Sequence, residues 1–155
     1  MKLRQILLLL IIYTYSFAET INNQSSKLSN HEQFLYGVKY DSVIGPAVSV
    51  LYLEDFNDTK DMFGNNYLFG GELGLNGGKA QVGYGFFYWI SLWGKVSLMR
   101  TWYEPREIKP NQTYLGVEGQ LTLMALNFSI GMYQHISGSD TDNNKILTGS
   151  VGLGW

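Results

Sequence analysis

Gln134-His135-Ile136-Ser137 is the segment whose residue types and spacing come nearest to nucleophilic chemistry. Side chains two apart on a strand share a face, so His135 is placed to take the hydroxyl proton of Ser137 if a third group orients its ring. The nearest acid is Glu118. A hairpin turning at Met124-Ala125 would set it opposite residue 131, about 13 Å along the strand from His135, and the orienting member falls short. Oxygen donors gather at Asp55, Asn57, Asp58 and Asp61, and again at Asp140 and Asp142. An EF-hand loop would need glycine where Lys60 stands and glutamate where Asn66 stands, so these read as solvated loop carboxylates. With 2 His and 0 Cys there is no zinc set and no disulfide, and no metal or cofactor is expected.

Six more charges, Lys39, Asp41, Glu72, Lys79, Lys95 and Glu118, acquire meaning from the elements that carry them. From Phe34 onward there is no helical period, and period-2 stretches separated by Gly, Asn, Asp and Pro recur to the last residue. They predict eight strands, at approximately 35–43, 46–54, 67–76, 79–87, 90–102, 113–123, 126–136 and 145–155. Eight antiparallel strands make a closed barrel or a sandwich. The glycine pairs Gly70-Gly71 and Gly77-Gly78 read as sheet curvature and a hairpin turn.

The two faces of the last six strands differ in chemistry. One presents Tyr67, Phe69, Val82, Tyr84, Leu92, Val96, Leu115, Val117, Ile130, Leu147 and Leu153, and no charge anywhere along it. The other mixes glycines, hydroxyls and amides with Glu72, Lys79, Lys95 and Glu118; Lys39 and Asp41 take the equivalent face of the first strand. Water-facing surfaces carry about 25–35% charged residues, so this second face is too poor in charge for solvent and too polar for an oily core. An eight-stranded antiparallel up-and-down transmembrane β-barrel reconciles the two, since its outside meets lipid and its narrow lumen holds glycine, hydroxyls and paired charges. Ten residues at about 3.3 Å, tilted near 40°, rise about 25 Å, the height of the apolar band of such barrels. The six charges are then expected to form a lumenal ion-pair network in an interior too narrow for an open pore.

Connection lengths are asymmetric. Met124-Ala125 and Tyr88-Trp89 are tight turns at one end, while 103–112 and 137–144 are long polar loops at the other, as in barrels with short inner turns and longer outer loops. The stretch 55–66 is long yet falls at the short-turn end. Arg100 and Trp102 close the fifth strand, with Arg106 and Lys109 in the loop beyond. Trp102 suits an interfacial aromatic belt, and the cations are placed to meet lipopolysaccharide phosphates.

Residues 1–18 open with Lys2 and Arg4, run through Ile6 to Ile12 and close on Ser16-Phe17-Ala18, the pattern of a secretory signal peptide. Residues 19–33 are a polar leader, and 34–155 form the barrel. Composition agrees, with 18 Gly, 11 Tyr, 8 Phe and 4 Trp against 15% charged residues. A formal net charge of −2 and scattered cations exclude a nucleic-acid footprint.

The final strand, 145–155, resembles that of the small bacterial outer-membrane β-barrel class. Such barrels commonly end on an aromatic residue preceded by alternating apolar positions, the signal read by the barrel assembly machinery. Val151, Leu153 and Trp155 match it, as does Thr148 upstream, while Gly149 stands one place from the expected glycine. The resemblance implies a Gram-negative outer membrane, contact with its lipid and lipopolysaccharide, and a monomer. The leading expectation is a non-enzymatic structural or surface-interaction protein. Residues 134–137 are also similar to an outer-membrane lipid A deacylase family with a His-x-Ser pair, which makes a hydrolase built on His135 and Ser137 an alternative; against it, Gly138 replaces that family's asparagine, the last strand lacks an acid, and the pair faces inward. The second alternative is a soluble periplasmic ligand-binding barrel with the apolar face inside.

Overall fold

The computed structural model describes residues 32–55, 64–87, 90–103, 108–139 and 143–154. Eight strands close into one antiparallel barrel in chain order: β1 Glu32–Asp41, β2 Gly45–Asp55, β3 Gly64–Gly74, β4 Gly77–Phe87, β5 Ile90–Thr101, β6 Thr113–Leu123, β7 Leu126–Ser137 and β8 Lys145–Gly154. The alternation that predicts them is the alternation that places them. In β5 every second residue from Ser91 to Thr101 is buried and each residue between is exposed.

The first half departs in detail from expectation. β1 starts inside the expected leader and stops at Asp41, because the Asp41 carboxylate accepts the backbone N–H groups of Val43 and Ile44 and turns the chain there. Gly77 and Gly78 do not form the hairpin turn; they are the first residues of β4, paired with Thr101 and Arg100, and the turn is Leu75-Asn76. The long 55–66 connection shrinks to 56–63, since Asp55 and Asn66 are still paired across β2 and β3. It joins the strands at the end holding the 88–89 and 124–125 connections and both barrel termini, here the lower end. At the upper end only 102–112 and 138–144 are long; 42–44 and 75–76 are tight.

The barrel is strongly staggered. From Gly154, lateral pairing runs through Gly37, Ser49, Glu72, Lys79, Met99, Tyr114 and His135. It returns to the β8 line at Asn144, whose carbonyl accepts the His135 N–H at 2.9 Å, a displacement of about ten residues around the circuit. With eight strands this stagger corresponds to a tilt of about 40° and a radius of about 8 Å, so the interior is filled by side chains.

The uncharged face points outward. Leu73 and Leu147 are 71% and 70% exposed, whereas the Lys79 and Glu118 side chains have no exposure. The apolar set is therefore outside, not inside as the ligand-binding-barrel alternative required. Among the outward side chains described, charges stand at the strand ends, Glu54 at the lower and Arg100 and Lys145 at the upper. Between them lies a charge-free band about 25 Å high. Phe34 packs on Tyr52 and Tyr67 on Tyr84 near its lower edge, with ring centroids 5.2 and 5.3 Å apart.

Candidate functional site

The interior is layered. Leu35, Leu51, Leu53, Leu68 and Trp93 form a lower apolar cluster. Val43, Ile44, Ala47, Met99, Ile108, Tyr114 and Tyr133 form an upper one, in which the β1–β2 turn and the β5–β6 loop fold into the barrel mouth. Between the two lie all six expected lumenal charges.

These six are linked into one network. Glu72 and Lys79, and Lys95 and Glu118, are direct cross-strand partners, which the sequence pattern can anticipate. The ion pair of Lys95 with Glu118 joins neighbouring strands; the other ion pairs join strands that are not neighbours. Lys79 Nζ lies 2.7 Å from Asp41 Oδ2 on β1 and 2.5 Å from Glu118 Oε1 on β6. Lys95 Nζ is 3.1 Å from Glu118 Oε2, and Lys39 Nζ is 2.5 Å from Glu72 Oε1. The stagger explains the meeting: each lateral step climbs the barrel, so residues distant in strand position reach one height.

Neutral groups complete the layer. Lys95 donates to Gln81 at 2.9 Å and to Gln120 at 2.8 Å; Gln81 in turn donates to Glu72 at 3.1 Å. The Tyr133 hydroxyl donates to Glu118, and its ring lies 5.3 Å from Lys79 Nζ. Three lysines thus face three carboxylates, the arrangement that makes buried charge tolerable. Space for it comes from glycines: a Cβ at Gly131 would meet Glu118 and Tyr133, one at Gly83 would meet Lys95, and one at Gly152 would meet Lys39. Tyr133, Gln81 and Gln120 occupy inward positions by parity, but being neutral they carry no mark of membership in the sequence.

Below the layer, a cavity of about 20 Å³ is lined by polar residues, among them Glu72, Gln120 and Asn127, and by apolar ones, among them Leu51, Leu68 and Trp93. A space of that size admits about one water molecule. Among the described residues, apolar clusters thus lie above and below an ion layer in which each charge has an opposite partner.

His135 and Ser137 have a different local setting. His135 Nε2 donates to Gln112 Oε1 at 3.0 Å, and its ring stands edge-on to Tyr114 at 5.3 Å. A register shift between Thr113 and Tyr114 pairs Thr113 with Ser137, which is exposed. Glu118 lies opposite Gly131 as expected and is occupied by two lysines and a tyrosine. Gln112 also donates to the Pro110 carbonyl at 2.8 Å, so His135 anchors the β5–β6 loop. Gly138 has φ near +131°, and a side chain there would collide with the Gln112 amide.

At the upper rim, Arg100 Nη1 donates to Thr113 Oγ1 at 3.3 Å, and Trp102 Nε1 donates to the Leu75 carbonyl at 2.9 Å. Lys109 is exposed in the loop, and its carbonyl accepts from Thr101 Oγ1. Val151 and Leu153 point outward and pair with Phe128 and Leu126. Trp155, Arg106, the signal segment, the leader up to residue 31 and the carboxylates at 58, 61, 140 and 142 lie outside the described residues. Comparison of the chain with protein-family models, curated proteins and solved structures finds no match.

Proposed function

We propose that the protein is a monomeric outer-membrane β-barrel with a structural or surface-interaction role, non-enzymatic and closed to solute flow. The observation that carries this reading is the inversion of polarity: among the described residues a charge-free apolar band faces outward around the barrel, while every charge within that height is turned inward and paired. Water would penalise such an outer surface, and lipid would favour it. The signal-like segment and the terminal pattern of Val151, Leu153 and Trp155 support export and insertion by the barrel assembly machinery of a Gram-negative cell. In this orientation the upper end, with its two long loops, meets the cell exterior. Arg100, Trp102, Arg106 and Lys109 then serve as the lipopolysaccharide-facing rim.

The test is membrane fractionation with a gel comparing unboiled and boiled samples. An outer-membrane band whose mobility shifts on boiling is the expected result. A soluble protein whose mobility does not shift would overturn the proposal.

A further inference from the structure

We propose that the outward ladder of β5 and β6 is a binding site for one phosphate-bearing membrane lipid, with its headgroup at Arg100 and an acyl chain laid down to a notch at Gly94 and Gly119. The inference rests on the membrane reading above and names a partner of that surface.

The ladder has the form of such a ligand. Its cross-strand pairs descend from Arg100 and Thr113 through Leu98 and Leu115, then Val96 and Val117, to Gly94 and Gly119. At that last pair the outer surface is bare backbone. A Cβ on Gly119 would meet nothing within 4 Å, and one on Gly94 only the Tyr84 carbonyl oxygen at 4.0 Å. The strand neighbours of the pair, Tyr84 and Ile130, are 51% and 61% exposed and stand as walls on either side. The notch is therefore a shallow, outward-open depression flanked by two apolar side chains.

Depth and charge select the occupant. Six residues separate Arg100 from Gly94, about 20 Å along a tilted strand and about 15 Å along the barrel axis, which is one leaflet of a hydrocarbon core about 30 Å thick. A lipid with its phosphate at the Arg100 level ends its chain at the notch. Arg100 is exposed, and the Thr113 hydroxyl holds Nη1 while the planar fork retains donors for a phosphate. Every other outward residue of the ladder is uncharged, so a net anion on an apolar chain is the complementary ligand. Lys145 shares this rim but lies three strands away on β8 and provides a matched control.

The test is native mass spectrometry of the barrel, purified in mild detergent and offered dimyristoyl phosphatidylglycerol or dimyristoyl phosphatidylcholine. We expect one phosphatidylglycerol retained under activation that strips phosphatidylcholine, a loss of retention of about tenfold in Arg100→Ala, as for a lost charge-assisted contact, a comparable loss in Gly119→Leu, and none in Lys145→Ala. Equal retention by wild type and Arg100→Ala, or no preference between the lipids, would overturn the site. So would a dimer that Gly119→Leu dissolves, because a second copy would then occupy the notch. If Gly119→Leu does not fold, Arg100→Ala and the lipid comparison decide alone. Insertion into vesicles, measured on the same samples, separates the two levels: a protein that inserts but binds no lipid at Arg100 overturns this inference only, and one that does not insert overturns both.

Discussion

Asp41 serves Lys79 and the β1–β2 turn with a single carboxylate: Oδ2 lies 2.7 Å from Lys79 Nζ, while Oδ1 accepts the N–H groups of Val43 and Ile44 at 2.8 and 3.1 Å. The ion layer and the upper apolar cluster are therefore mechanically joined. Ile44 is fully buried in that cluster only because the turn that carries it is held by the acid that also neutralises Lys79.

Substitutions at Asp41 should separate these duties. Asp41→Asn keeps an acceptor for the turn and removes the charge, whereas Asp41→Ala removes both. Breaking one partner of a buried pair costs about 3–5 kcal/mol, so both variants should lower the unfolding midpoint in urea with lipid vesicles, alanine more than asparagine. Equal midpoints for the two would dismiss the turn-holding role.

Lys79 faces two carboxylates, and its removal strands Asp41 while Glu118 keeps Lys95. Lys79→Met should therefore be worse than the double variant Lys79→Met, Asp41→Asn, which keeps Glu118 with Lys95 and Glu72 with Lys39 and leaves no orphaned charge; the double is expected to recover at least about half of the loss. Chemical denaturation of the three proteins checks this order.

Glycines of the two faces should respond oppositely to the same change. Gly131→Leu directs a side chain into Glu118 and Tyr133, so assembly should fail or lose about 3 kcal/mol or more. Gly119→Leu points outward into open space and should leave the boiling-dependent gel shift intact.

The outward band offers a direct test of its solvent. Val96→Arg and Val117→Arg place a cation at mid-height and should destabilise a lipid-embedded barrel by about 2–4 kcal/mol, while Lys145→Arg at the rim should be neutral. If the Val96 and Val117 variants unfold at the wild-type midpoint, the band does not face lipid.

His135 is assigned an anchoring role through Gln112. The double variant His135→Ala, Ser137→Ala should leave the acyl pattern of cellular lipid A unchanged and should increase proteolysis of the β5–β6 loop. A changed acyl pattern would restore the hydrolase reading.

Period-2 alternation from Phe34 onward was sufficient by itself to determine eight strands, the identity of the outward face and the inward parity of all six lumenal charges, because side-chain direction on a strand is a local property of the backbone. The β6–β7 register was equally legible, since a two-residue turn sets Glu118 against Gly131. Local pattern does not encode closure. Only the stagger of the closed barrel brings Asp41 of β1 to Lys79 of β4 and Lys79 to Glu118 of β6, pairs 38 and 39 residues apart in sequence. Tertiary structure also moved Val43, Ile44 and Ile108 from apparent strand-end and loop positions into the barrel mouth, where covering the buried ion layer outweighs their local setting. It turned His135 toward Gln112, a partner defined by the path of a loop and not by any spacing along the chain.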